Sequence, residues 1–257
     1  MMLHVQTFGE GDQNLIVLHG FLGMGANWKS HARNWSSLGY RIHLVDQRNH
    51  GKSFRSSEFN YGVMCEDLRR LMEHLQIKDA FLLGHSMGGK TAMEFACRYP
   101  QYVRALAVVD IGAKCYPPHH QKILEGLAAL DLDSLKSRAE ADAHLQAYVP
   151  ELGIRQFLLK NLYWKNPGQL DLYIHIDVLK NAGQAIGKAL DSDAYFEKST
   201  LFISGGQSDY ILPEDKPILH QHFPNAQTAA IPGAGHWPHA EQPVAFSETL
   251  LQWLKQV

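Results

Sequence analysis

The chain has 257 residues, of which 45% are hydrophobic, and a formal net charge of -2. That length can bury one sizeable core, with or without an insertion, and the near-neutral balance gives no electrostatic reason to bind nucleic acid. No apolar run is long enough to span a bilayer. The N-terminal stretch MMLHVQTFGEGDQN lacks a positive region followed by an apolar one, so a cytoplasmic protein is expected. Cys65, Cys97 and Cys115 form neither an even set nor a CxxC pair, which suits reduced thiols. The 15 histidines are scattered and do not form a metal-ligand pattern, so no metal site is expected from them.

Residues 14–19 (NLIVLH) read as a buried strand running into Gly20. Residues 40–46 (YRIHLVD) are a second. Residues 61–75 carry Met64, Leu68, Leu71, Met72 and Leu75 at steps of three and four, the mark of an amphipathic helix. A third strand is expected at 80–84, a helix at 88–99 closed by Pro100, and a fourth strand at 103–111. Alternating strands and helices argue for a mostly parallel sheet covered on both faces. From 115 to 192 the pattern turns helical, without a clear buried strand. Strands resume at 200–204 and 227–231, and a last helix at 244–254 places Phe246, Leu250, Trp253 and Leu254 on one face. The expected organisation is therefore a core of residues 1–114 and 193–257 with a helical cap inserted at 115–192.

The sharpest motif is Gly84-His85-Ser86-Met87-Gly88, between a strand and a helix. G-x-S-x-G in that context is a tight turn that lifts the serine hydroxyl above the sheet, with a helix N-terminus behind it. Ser86 is the expected nucleophile. It needs a base, and His236, flanked by Gly233 and Gly235 in the loop before the last helix, is expected to supply it. His239 is the nearby competitor. Two aspartates could orient the imidazole: Asp209, after the strand that follows the cap, and Asp110, at the end of the 103–111 strand. Ser208 could support either arrangement. The backbone N–H groups of Met87 and Phe21 are the expected oxyanion donors. Phe157, Trp164, Tyr173 and Trp237 are candidates for the substrate wall.

The segments LHGFLG, DQRNHGKS, GHSMGGK, VVDIG, GGQSDY and GAGHW, spread over nearly the whole chain, resemble those of the YbfF-type bacterial esterases of the α/β-hydrolase superfamily. The resemblance implies an α/β-hydrolase fold with a small helical cap, and esterase or thioesterase activity on small-molecule acyl esters, possibly acyl-CoA. It implies no metal and no organic cofactor, and it carries the nucleophile to Ser86 and the base to His236. Members share the aspartate matching Asp110, and some lack the one matching Asp209 while keeping the neighbouring serine, so both aspartates stay open. Arg48 in RNHGKS is expected to pair with a carboxylate beneath the site. Its neighbours Asn49, Gly51 and Ser53 are expected to shape a turn.

Rival readings are other chemistry on the same serine and histidine, namely C–C bond hydrolysis or acyl transfer, and a non-catalytic binding protein on a hydrolase scaffold. GHSMGGKT also matches the phosphate-loop spacing formally. The oligomeric state is open.

Overall fold

A computed structural model describes all 257 residues. In chain order, β1 (His4–Phe8) and β2 (Gln13–Leu18) lead to α1 (Lys29–Ser36), β3 (Tyr40–Asp46) and α2 (Tyr61–His74). β4 (Ala80–His85), α3 (Met87–Arg98) and β5 (Val103–Val109) follow. An insert then carries α4 (Gln121–Ala128), α5 (Arg138–Leu145), α6 (Leu152–Leu159), β6 (Leu162–Asn166), β7 (Gln169–Leu172), α7 (Ile176–Leu179) and α8 (Gly183–Gly187). The core resumes with β8 (Thr200–Gly205), α9 (Lys216–His222), β9 (Ala226–Ile231), α10 (Pro238–Glu241) and α11 (Pro243–Leu254).

Seven strands form one sheet in the order β1-β3-β2-β4-β5-β8-β9. All neighbours are parallel except β1, which runs antiparallel to β3 at the edge. Strands buried on both faces have no polar side to show, which is why β2, β4 and β5 read as unbroken apolar runs. Alternation along them still sorts the core. Ile16 and Leu18 face α2 and α3, packing with Leu68 and Met93. Leu15 and Val17 face α1 and α11, packing with Trp35 and Phe246.

The insert leaves after β5 and returns before β8, two strands that pair directly, Leu106 opposite Thr200. Its own apolar residues, among them Leu124, Leu145 and Leu158, pack with Phe21, Leu22 and Met87 from the loops at the carboxyl ends of β2 and β4. It therefore sits over that end of the sheet. The insert is not wholly helical, as the sequence pattern suggests, because β6 and β7 form a hairpin. Both strands are short, and β6 is largely exposed, so neither leaves a buried run to recognise. No helix is long and apolar enough to cross a membrane.

Candidate active site

Ser86 follows β4 and caps α3 with φ 52° and ψ −118°. A non-glycine residue in such a conformation costs on the order of 1–3 kcal/mol, which the surroundings must supply. They do so by close backbone packing. A Cβ on Gly84 would lie 2.2 Å from the carbonyl oxygen of Gly88, and one on Gly88 would lie 2.3 Å from that of Leu18. Side chains at either position would push α3 away from β2 and β4. The Ser86 N–H donates to Val109 O at 2.9 Å, which ties the turn to β5.

His236 arrives in the loop between β9 and α10. Its Nε2 lies 3.1 Å from Ser86 Oγ, and its Nδ1 lies 2.7 Å from Asp110 Oδ2. Asp110 is fully buried one residue past β5, with φ 50°. Its Oδ1 accepts the Gly205 N–H at 2.9 Å and its Oδ2 also accepts the Ser208 hydroxyl at 2.5 Å. Donors on both oxygens compensate the loss of water around the carboxylate. Asp209, the other candidate acid, is exposed and makes no hydrogen bond to His236. The turn after β8 sends Ser208 towards Asp110 and leaves its neighbour in solvent. His239 is buried and lies flat on Trp28, with ring centroids 4.0 Å apart, away from the serine.

Two groups hold His236 from outside this chain of bonds, one at its ring and one at its backbone. The ring of Tyr210 stacks on it with centroids 3.9 Å apart. The buried His85 imidazole bonds through Nε2 to His236 O at 2.8 Å. Burial holds His85 well below the usual histidine range, so it is neutral and donates this proton to the carbonyl.

The loop after β2 passes next to the serine: a Cβ on Gly20 would lie 3.3 Å from Ser86 Cβ. The Phe21 N–H in this loop donates to no protein acceptor. Met87 is the first residue of α3, where a helix has free N–H groups. Leu22, the residue after Phe21, has φ 59° and is held at both ends. Its N–H donates to His50 Nε2 at 3.2 Å, and its carbonyl accepts Asn161 Nδ2 of the insert at 2.8 Å. His50 can accept only if its proton sits on Nδ1, which lies 2.9 Å from Arg48 O. Burial, reinforced by His19, pushes the His50 pKa down to about 3 and keeps it neutral.

Arg48 makes two bonds to the buried Asp67 carboxylate, at 2.6 and 2.9 Å. Asn49 exchanges bonds with the backbone of Ser56. RNHGKS thus shapes the support beneath the site. Lys90, which gave the phosphate-loop spacing, is buried with Nζ on Lys114 O at 2.6 Å, so it points into the protein and not towards a ligand.

A cavity of about 200 Å³ opens beside Ser86 and His236, lined by Ile123, Ile154, Phe157, Leu158 and Trp237. Phe157 and Trp237 are therefore where the sequence suggests. Trp164 and Tyr173 are not. Trp164 lies on the outer side of β6, 51% exposed, and Tyr173 stacks on Tyr163 with centroids 4.3 Å apart. Tyr210, His119 and His120, which border the same space, were missed by sequence reasoning. Tyr210 ends the GGQSDY segment, so the motif contained it without indicating that its ring meets the imidazole.

A hydroxyl, an imidazole and a buried carboxylate stand in hydrogen-bonded succession at the carboxyl end of a parallel sheet, an arrangement that can pass a proton from serine to histidine. The chain belongs to the α/β-hydrolase family, whose model of that fold matches residues 13–243. It is 36% identical to the sn-1-specific diacylglycerol lipase ABHD11 of Danio rerio, over 96% of this chain and 80% of the relative. It is 33% identical to the esterase YbfF of Escherichia coli (strain K12), over 93% and 92%. A solved esterase from a marine microorganism superposes with a TM-score of 0.94 at 36% identity, covering 98% of both chains.

Proposed function

We propose that the chain is a serine hydrolase of carboxylic esters, with Ser86 as nucleophile, His236 as base and Asp110 as the acid that orients it. Ester hydrolysis rests on the family and on relatives named as esterases and lipases. The residue roles rest chiefly on one observation, the unbroken path from Ser86 Oγ through His236 to the buried Asp110.

Ser86 Oγ attacks the carbonyl carbon as its proton passes to His236 Nε2. The tetrahedral oxyanion is held by the N–H groups of Met87 and Phe21, each such donor contributing about 3 kcal/mol to the transition state. Collapse breaks the bond to the alcohol oxygen, which takes the proton from Nε2 and departs. Water then repeats the sequence on the acyl-serine, and the acid leaves. Asp110 keeps the Nδ1–H tautomer in place and stabilises the imidazolium. The same steps cleave a thioester, with a thiol departing. We read the insert as a cap that walls the pocket through Ile123, Ile154, Phe157 and Leu158. Three free cysteines fit a reducing compartment such as the cytoplasm.

A fluorophosphonate probe followed by peptide mapping tests the reading. Label on Ser86, lost in Ser86→Ala and strongly slowed in His236→Gln, is expected. A folded protein that hydrolyses esters with position 86 unlabelled overturns it.

A further inference from the structure

Two chambers, not one, meet at Ser86. The larger is the cavity of about 200 Å³ described above. The smaller, of about 30 Å³, is lined by Ser86, Met87, Ile111, Tyr116, Pro117 and Ile186. Phe21, His119, His120 and Tyr210, with Ser86, border both. The chambers differ in one further respect. His236 lines the larger and is absent from the smaller.

That difference fixes which half of an ester goes where. The leaving oxygen must receive its proton from His236 Nε2, so the alcohol has to lie on the side where His236 is exposed to the cavity. The carbonyl oxygen points at Met87 and Phe21. The acyl substituent is left to the side that Met87 lines and His236 does not. We propose, on the basis of the hydrolase reading above, that this enzyme selects esters of a short acyl group with a long or bulky apolar alcohol.

Size sets the acyl limit. A single water needs about 10–15 Å³ on this measure, so the small chamber takes about two or three carbons. Its walls are also pinned. The Tyr116 hydroxyl donates to Tyr210 O at 2.5 Å and accepts the Gly112 N–H at 2.8 Å, and the Tyr116 N–H donates to Gly187 O at 2.8 Å. Tyr210 Oη is in turn bonded to His119 Nε2 at 2.5 Å. Widening the chamber means breaking these bonds. The larger chamber has aliphatic walls from α4 and α6, whose side chains can change rotamer to follow a chain.

Octyl acetate and ethyl octanoate provide the test. They are isomers of the same hydrophobicity class that differ only in which side of the ester is long. Wild-type protein is expected to show kcat/KM about tenfold or more higher for octyl acetate, the scale on which an apolar pocket discriminates by chain length. Ile186→Ala, which enlarges the small chamber, is expected to raise ethyl octanoate turnover selectively. Ile154→Trp, which fills the large one, is expected to lower octyl acetate turnover selectively. Hydrolysis of both esters with equal or reversed preference overturns the chamber assignment and leaves the hydrolase reading intact. No hydrolysis of either, with Ser86 unlabelled by fluorophosphonate, overturns the hydrolase reading itself and the assignment with it.

Discussion

Asp110 reaches His236 Nδ1 at 2.7 Å from the end of β5, while the aspartate after β8, at 209, stays in solvent. Asp110→Asn keeps the shape but offers the imidazole the wrong partner, and is expected to lower kcat by about 10³–10⁴-fold. Asp209→Asn is expected to change it less than about threefold. Steady-state kinetics on a p-nitrophenyl ester decides. A large loss in Asp209→Asn with little in Asp110→Asn would reverse the assignment.

The clamp on Leu22 predicts a second effect. Replacing His50 with alanine leaves the Leu22 N–H without its acceptor and frees the loop that carries the Phe21 N–H. A displacement of about 1 Å at such a donor costs on the order of a hundredfold in rate. His50→Ala is therefore expected to lower kcat about 10- to 100-fold with little change in KM. His50→Gln, whose amide oxygen can accept the same N–H, should recover part of the loss. An unchanged kcat in His50→Ala would remove the positioning role.

Buried neutral histidines make stability sensitive to acid. Burial lowers the pKa of His19 and His43 to about 4 and of His50 and His120 to about 3, and also depresses His31, His85 and His239. In the unfolded chain each takes up a proton near pH 6.5, so below that pH the unfolded state binds more protons than the folded one. Stability is then lost as pH falls from about 6.5 towards 3, by up to about 1.4 kcal/mol per pH unit for each such group. Urea midpoints are expected to fall steeply from pH 6.5 to 4.5. A flat profile over that range would contradict the burial argument.

Lys90 gives the opposite window. Burial lowers its pKa from 10.5 to about 7. Between those values the unfolded chain holds a proton that the folded chain has lost, so this residue's contribution to stability rises with pH from about 7 to 10.5. The stability difference between wild type and Lys90→Met should therefore shift in favour of wild type as pH is raised from 7 to 10. A difference independent of pH would show that Lys90 stays charged when folded.

The parallel strands and their helices were legible because burial on both faces leaves continuous apolar runs, as in NLIVL and AFLL. β1 was not, since an edge strand reading HVQTF is only half-buried and mixes polar with apolar residues. α1, reading KSHARNWS, buries only His31, Ala32 and Trp35 and shows too few apolar positions for a helical period. The hairpin's one cue was Pro167-Gly168, a turn signal between two short runs of mixed polarity. At the site, the glycine spacing around Ser86 and His236 marked two sharp turns, and the structure brings the two side chains within 3.1 Å. The choice between Asp110 and Asp209 could not be made. Both follow adjacent strands at the same end of the sheet, and only the backbone after each strand decides which carboxylate turns inward.

Because β5 and β8 are neighbours, the segment after Asp110 and Ile111 can be exchanged without disturbing the sheet, so part of the pocket wall is written in a stretch of the gene separate from the proposed triad. The exchange is not free, however. Asn161 holds the Leu22 carbonyl, and the His175 N–H donates to Asn49 O at 2.9 Å. A transplanted segment that discriminates well but lacks these two attachments would inherit a slow enzyme, which makes them the first positions to carry over in any chimera.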